Sequence, residues 1–264
     1  MNNRWVRRPS GLWTPEGIYS PVRFLQGTPS RRLGMLRTKA GVSSEVGAGV
    51  GSKAAANPAN IAFVQSRYGG SDYWEVSVAY LSNVTAGSLL VAVVATTADV
   101  TLTVTCDSGA HTFTALTRLY DANIGTSQVF YYPNHGAGAV TVVALSSAGA
   151  TLYLEVYEFS GIATTSPVNV VDYEVAISDQ TPPITPHKDI TTTVADTLLF
   201  TAVMDIGNNC GTYSDGSLIS NSSCPVAGFG TGYQIVSTSG AKEVGLNCDA
   251  SDLFHVTAVA FKAP

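Results

Sequence analysis

Long hydrophobic runs and charged residues are both scarce in this 264-residue chain. The longest apolar run is about eight residues, whereas a helix needs roughly 20 to cross a bilayer, so we expect no membrane-spanning segment. The first residues lack the apolar core of a secretory signal, and we expect a protein made and assembled in a cytoplasm. Only 12% of the residues are charged and 45% are hydrophobic, which predicts a folded protein with a sizeable core.

The motifs of common enzymes and of zinc proteins are missing too. Gly-x-Ser-x-Gly, His-Glu-x-x-His and phosphate-binding glycine loops do not occur, and no Cys-x-x-Cys pair is present. Glu155 and Glu158 lie on one predicted strand at positions of opposite parity, so they should point to opposite faces rather than act as a pair. We therefore expect a protein that is not an enzyme, with no catalytic residues, no cofactor and no metal.

The four cysteines are candidates for covalent cross-links. Cys210 and Cys224 share one predicted loop, and a disulfide closing about 15 residues would stabilise the chain by roughly 3 kcal/mol. Cys106 and Cys248 each precede an aspartate at a predicted strand end, and they are the candidates for a second bridge. Free buried thiols are the alternative, since a cytoplasm keeps cysteines reduced.

Abundant Thr, Val, Ser and Gly predict an all-β chain, because β-branched residues suit a pleated sheet and weaken helices. The chain is organised around residues 84–160. Within them, residues 88–95 are almost continuously apolar, as in a strand buried on both faces, and residues 151–159 place alternate apolar side chains on one face. Further strands are predicted at 61–65, 73–80, 98–106, 112–120, 128–132 and 139–145. This spacing is typical of an antiparallel β-sandwich of jelly-roll type.

A weak internal repeat links the two halves of this sandwich. Residues 86–94 are echoed by residues 195–203, and residues 155–159 by residues 257–261. Two copies are too few for a solenoid, and we interpret them as the two sheets of one sandwich.

Two stretches of the second half are predicted to contain no strands. Residues 164–193 hold four prolines and are expected to form a crossing connection. Residues 205–232 are rich in Gly, Asn and Ser and are expected to form an exposed loop.

Charge is divided unevenly along the chain. Residues 1–67 carry ten Lys or Arg against two Glu, a net charge of +8, whereas residues 68–264 carry four against seventeen acidic residues, a net charge of −13. Prolines interrupt residues 1–58, so we predict an extended basic arm and Gly/Ala-rich linker there, followed by the sandwich at 59–264. The expected docking residues of the arm are Arg4, Trp5, Arg7, Arg8, Trp13, Tyr19, Phe24, Arg31 and Arg32.

Aromatic anchors between the arginines suggest that the arm binds a surface. Ordering about 58 residues costs on the order of 1–2 kcal/mol each, which requires more apolar burial than an extended segment finds alone. A partner subunit is the expected support, and folding back on the chain's own domain is the alternative. Nucleic acid is the disfavoured partner, because ten charges spread over 67 residues are thin for phosphate contacts.

This plan resembles that of tailed-bacteriophage virion accessory proteins, in which an N-terminal arm precedes a Thr/Val/Gly-rich β-sandwich. The residues similar to phage tail, neck and decoration modules are Val84-Thr-Ala-Gly-Ser-Leu-Leu-Val91 and Glu155-Val-Tyr-Glu-Phe-Ser-Gly161. The resemblance implies a structural protein of the virion, assembled in the host cytoplasm as a homo-oligomer. Its arm would dock on a capsid, neck or tail subunit while the sandwich projects outward.

A carbohydrate-binding or host-adhesion module is the alternative function. In that case loops around residues 125–138 and 208–232 would contact host glycans, and tyrosines of the sheets could stack on sugars. Cross-strand pairing is the competing interpretation of these tyrosines, which are Tyr120, Tyr131, Tyr132, Tyr153 and Tyr157.

Overall fold

The computed structural model describes residues 5–7, 13–15, 60–71, 73–178, 186–205, 221–226, 228–246 and 253–264. The chain divides into two compact units, Met1–Val50 and Gly51–Pro264. In the first unit, strands β1 (Trp5–Arg7) and β2 (Trp13–Pro15) pair antiparallel. The domain boundary predicted at residue 58 lies outside the described residues and stays a prediction.

The first half of the second unit is a sandwich of two antiparallel sheets. Its strands are β3 (Ala62–Ser71), β4 (Glu75–Ala79), β5 (Ser88–Thr96), β6 (Leu102–Cys106), β7 (His111–Thr112), β8 (Thr114–Ala115), β9 (Leu119–Asp121), β10 (Gly125–His135), β11 (Thr141–Ser146) and β12 (Leu152–Ser160). The first inner sheet has the order β3-β12-β5-β10-β8, with β9 also paired to β10, and the first outer sheet has the order β4-β11-β6-β7.

The second half repeats this plan with fewer strands. They are β13 (Val168–Ser178), β14 (His187–Thr192), β15 (Thr197–Asp205), β16 (Asn221–Val226), β17 (Phe229–Val236), β18 (Gly240–Gly245) and β19 (Leu253–Lys262). The second inner sheet has the order β13-β19-β15-β17-β16, and the second outer sheet is β14-β18. The predicted all-β, antiparallel sandwich class is confirmed. In the described part of the chain, no helix is long and apolar enough to cross a membrane.

Within the described residues, three apolar cores join the four sheets into a stack. One core packs the first outer sheet on the first inner sheet, and a second packs the two inner sheets against each other. A third, smaller core packs the second outer sheet on the second inner sheet. The inner sheets therefore have an apolar layer on both faces, which explains why every residue of β5 and of β15 is buried.

The internal repeat has a different meaning from the one predicted. The echoed segments lie in β5 and β15, which occupy the same place in two separate inner sheets. In the first inner sheet β5 pairs with β12, the last strand of the first half, and in the second β15 pairs with β19, the last strand of the second half. Each half also has its own outer sheet, so the interpretation as two sheets of one sandwich is wrong. The continuous burial of β5 is the physical reason, because a strand of a two-layer sandwich would have one face toward solvent.

Two segments predicted to lack strands contain them. In residues 164–193, Pro167 and Pro186 immediately precede β13 and β14, a position where a proline costs no ladder hydrogen bond. In residues 205–232, the alternating glycines begin β17, which pairs with β15 over eight residues. Residues 125–135 likewise form strand β10 rather than the predicted loop.

Glu155 and Glu158 do point to opposite faces of β12, as predicted. The Glu158 carboxylate accepts hydrogen bonds from Gln65 Nε2 (2.6 Å), the Thr85 backbone N–H (2.7 Å) and Ser88 Oγ (2.8 Å). Glu155 lies on the other face and accepts a bond of 2.7 Å from Thr231 Oγ1 in the second inner sheet. Both side chains are buried and hydrogen-bonded, as buried charged groups must be.

Candidate functional site

A cluster of titratable side chains lies at one end of the first sandwich, where strands of its two sheets come together. Cys106 is the last residue of β6 in the outer sheet, and a 3-10 turn, Asp107–Gly109, leads from it into β7. Asp107, Ser108 and Gly109 all have positive φ, which reverses the chain so that His111 pairs directly opposite Cys106. His135 ends β10 in the inner sheet.

The His135 ring occupies the centre of this cluster. Its Nδ1 lies 2.6 Å from the Gly136 carbonyl oxygen, which can only accept a hydrogen bond, so Nδ1 carries a proton. Its Nε2 lies 3.0 Å from Asp107 Oδ2 and 3.6 Å from Cys106 Sγ. Thus a thiol and a carboxylate converge on the same ring nitrogen.

His111 approaches the cluster from its solvent side. His111 Nε2 lies 3.7 Å from Asp107 Oδ2, and its Nδ1 lies 2.9 Å from Tyr132 Oη. The ring centroids of His111 and His135 are 5.4 Å apart. Tyr132 therefore orients His111 much as the Gly136 carbonyl orients His135.

Burial controls the chemistry of the thiol. Cys106 is fully buried and His135 is only 4% exposed. Desolvation, with a further contribution from the Asp107 charge, raises the pKa of Cys106 to about 12. Without a cation the thiol therefore stays neutral at physiological pH, and a neutral thiol is a poor nucleophile.

This geometry differs from that of a nucleophile–base relay. In such a relay the acid bonds one nitrogen of the histidine and the nucleophile bonds the other. Here Cys106 and Asp107 both face Nε2 of His135, and the ring's other nitrogen is bound to a backbone carbonyl. Among the described residues, Cys106, Asp107 and His135 bring metal-ligating atoms within 4.8 Å of one another, which is the arrangement of a ligand set.

A second buried histidine lies between the two inner sheets. His255 of β19 is fully buried, and its Nδ1 lies 3.2 Å from Ser127 Oγ of β10. Its Nε2 has no hydrogen-bond partner among the residues that the structure describes. Burial lowers the pKa of His255 to about 4, an effect that the Asp121 carboxylate partly opposes.

The predicted disulfide between Cys106 and Cys248 is wrong with respect to Cys106, which is a free thiol. The physical reason is its position at the end of β6, where the sulfur lies inside the first sandwich beside His135. Cys210 and Cys248 lie outside the described residues, as does the side chain of Cys224. The Cys210–Cys224 bridge therefore stays a prediction.

Six of the nine predicted docking residues lie outside the described part of the chain. Trp5 and Arg7 lie in β1 and Trp13 lies in β2. The others, which stay predictions, are Arg4, Arg8, Tyr19, Phe24, Arg31 and Arg32.

The tyrosines considered for sugar stacking mostly pack within the fold. Tyr157 is buried between the inner sheets, and Tyr131 and Tyr153 pack against the same core. Tyr132 contacts His111, while Tyr120 is more exposed and has the Arg118 guanidinium 5.3 Å from its ring centroid.

The most exposed aromatic pair lies elsewhere, between β3 and β4. Tyr73 and Trp74 are 74% and 58% exposed, although the alternating pattern of residues 73–80 predicted that both belong to a strand. β4 begins only at Glu75. No signal in the sequence separates these two rings from the strand that follows them.

Comparison with known proteins finds no matching family model and no matching curated protein. The fold and the cluster define the chain as a tandem antiparallel β-sandwich protein with a Cys–Asp–His cluster in which the cysteine and histidine are buried. Function is therefore inferred from its residues alone.

Proposed function

We propose that this chain is a structural protein of a bacteriophage virion, held by its basic N-terminal arm on a capsid, neck or tail subunit. The division of charge carries the proposal, with a net +8 over residues 1–67 and a net −13 over residues 68–264. Basic segments bind acidic surfaces, while acidic bodies repel one another and stay soluble. The two parts of the chain are thus suited to different neighbours.

The architecture of the second unit supports a scaffolding role. Four sheets share three apolar cores, and such a stack suits a rigid body that projects from a surface. Homo-oligomeric assembly, implied by the resemblance to phage accessory proteins, belongs to the same proposal.

Removal of residues 1–58 tests the arm directly. Incorporation of the truncated chain into particles is expected to fall to background, because the body lacks the basic surface that holds it. Incorporation is measured by sedimenting assembled particles and quantifying the bound chain. Docking through charge should also weaken as salt rises.

Paired charge variants provide the control. Arg7→Gln with Arg8→Gln should reduce incorporation, whereas Lys242→Gln with Lys262→Gln removes the same charge from the body and should not. Equal incorporation of the truncated and full chains would refute anchoring by the arm.

Carbohydrate binding is the second candidate, and the exposed pair Tyr73 and Trp74 favours it. The Trp74 backbone carbonyl accepts a hydrogen bond from the Ser146 N–H (2.9 Å). Trp74 Nε1 lies 3.2 Å from where a Cβ on Gly149 would stand, so the indole rests against this glycine. The Trp74 indole is thus exposed and fixed in position by its neighbours, and it offers a flat apolar surface on which a sugar ring could stack.

A glycan array probed with the full chain distinguishes this candidate from a purely structural role. If the chain binds a glycan through this surface, Trp74→Ala should abolish the signal. Tyr173→Ala is the matched control, since Tyr173 is a similarly exposed aromatic residue on β13. Absence of binding to any glycan, or equal loss in both variants, would count against the Trp74 surface.

A further inference from the structure

We propose that Cys106, Asp107, His111 and His135 form a binding site for a zinc-type metal ion that clamps the two sheets of the first sandwich together. The four residues supply one sulfur, one carboxylate oxygen and two imidazole nitrogens. A thiolate with imidazole and carboxylate ligands is a set that suits Zn²⁺ and that Mg²⁺ and Ca²⁺, which prefer oxygen, do not favour.

The ligand atoms of Cys106, Asp107 and His135 lie within 4.8 Å of one another, and His111 Nε2 adjoins this set through Asp107. With typical zinc bond lengths, ligand atoms stand about 3.4 Å apart for nitrogen and oxygen and about 3.6 Å apart for nitrogen and sulfur. His135 Nε2 lies 3.6 Å from Cys106 Sγ, and Asp107 Oδ2 lies 3.0 and 3.7 Å from the Nε2 atoms of His135 and His111. Small side-chain adjustments would therefore place an ion among Cys106, Asp107 and His135, and His111 would move inward to supply the fourth ligand.

The outer contacts of both histidines favour the same conclusion. A histidine that binds a metal through one nitrogen usually donates its other N–H to a carbonyl, carboxylate or similar acceptor. His135 Nδ1 donates to the Gly136 carbonyl, and His111 Nδ1 lies beside Tyr132 Oη. In both rings, Nε2 therefore faces Asp107 and is the nitrogen that would bind the ion.

The arrangement around His135 Nε2 also calls for a positive charge. In the neutral ring this nitrogen is an acceptor, and it faces the Asp107 carboxylate, which is also an acceptor when ionised. A proton on Nε2 or a divalent ion resolves that conflict, and only the ion also recruits Cys106 by displacing its proton, because a coordinating thiol is deprotonated. The two ligand anions then neutralise the dication, which suits a site whose central residues are buried.

The position of the ligands defines what the ion would do. Cys106, Asp107 and His111 come from the end of β6, the following turn and β7, all in the outer sheet, whereas His135 ends β10 in the inner sheet. The ion would therefore fasten one sheet to the other at one end of the sandwich. This is a structural role that is independent of the proposed anchoring of the arm.

Metal titration of the full chain tests the site. The purified protein is treated with a chelator under reducing conditions and titrated with Zn²⁺ or Co²⁺. A single ion should bind per chain and raise the melting temperature, and Co²⁺ should produce a thiolate charge-transfer band and the intense visible absorption of tetrahedral coordination. Excess Mg²⁺ or Ca²⁺ should not displace it.

Variants then assign the ligands. Each variant that removes a direct ligand should weaken Zn²⁺ binding more than about 100-fold. These variants are Cys106→Ser, Asp107→Asn, His111→Gln and His135→Gln. Tyr132→Phe removes only an outer contact, and a loss of about 10–100-fold is typical of such a change. Cys248→Ser and His187→Gln are matched controls, because neither residue belongs to the proposed set, and both should bind Zn²⁺ normally. Circular dichroism of each variant confirms that it is folded.

Two results would overturn the proposal. One is a folded wild-type chain that binds no Zn²⁺ at micromolar concentrations. The other is unchanged binding and an unchanged Co²⁺ spectrum in folded Asp107→Asn, whose partly exposed side chain makes it the variant best expected to fold. The cluster would then be a hydrogen-bonded Asp–His–Cys group, and the metal would lie elsewhere.

Discussion

Replacing Phe200 with Ala is expected to lower the free energy of unfolding by about 3–5 kcal/mol, the usual cost of truncating a buried phenylalanine. Phe200 lies on β15 and is fully buried in the core between the two inner sheets. Its ring meets Tyr157 and Phe159 of β12 edge-on, with centroid distances of 5.2 and 6.4 Å. Because typical domains are stable by only 5–15 kcal/mol, this loss should be conspicuous in urea denaturation followed by circular dichroism.

Two further variants separate packing from general damage. Phe200→Leu keeps most of the buried volume and should cost less than about half as much, whereas Val194→Ala at an exposed site should change stability by less than about 0.5 kcal/mol. A loss below about 1 kcal/mol for Phe200→Ala would show that the two sandwiches do not depend on this contact.

The core between the inner sheets also explains which parts of the fold could be predicted. Period-two patterns identified most strands of the first half, and the apolar run at 88–95 correctly indicated burial on both faces. The layer that causes this burial could not be predicted, because it comes from a second sandwich whose edge strand, β13, lies in a proline-containing stretch. Pro167 and Pro186 precede β13 and β14 rather than interrupt them, so the distinction depends on register and not on composition.

The cluster of Cys106, Asp107 and His135 was not predicted for a related reason. Zinc motifs are recognised by short spacings between cysteines and histidines, whereas Cys106 and His135 are separated by 29 positions and come from different sheets. Only the pairing of β6 with β7 and the stacking of the two sheets bring them together. The one signal within the sequence is local: Cys106, Asp107 and His111 span a turn that ends in Gly109, and antiparallel pairing across such a turn juxtaposes its flanking residues.

Acid is expected to weaken the same interface between the inner sheets through His255. Its pKa is about 4 in the folded chain, against about 6.5 for an ordinary histidine. Above pH 6.5 the ring is neutral in both the folded and the unfolded chain, so it has no pH-dependent effect. Between pH 6.5 and about 4 the unfolded chain binds a proton that the folded chain excludes, and stability falls as the pH falls. The full loss, reached below about pH 4, is about 3 kcal/mol at 1.36 kcal/mol per pKa unit.

His255→Asn isolates this contribution, because asparagine can keep a polar atom near Ser127 Oγ but does not titrate. The free energy of unfolding is measured in urea at pH 7.5 and at pH 4.5. The loss of stability between these two pH values should be smaller in the variant than in the wild type, by at least about 2 kcal/mol, because the variant lacks the titrating ring. Ser127→Ala is the matched control: it removes the hydrogen bond to His255 Nδ1 and leaves the titrating ring, so its stability should be lower while the acid-dependent loss persists. If wild type and His255→Asn lost the same stability over this range, the buried ring would not be the source of acid sensitivity, and the carboxylates of the two sandwiches would have to account for it.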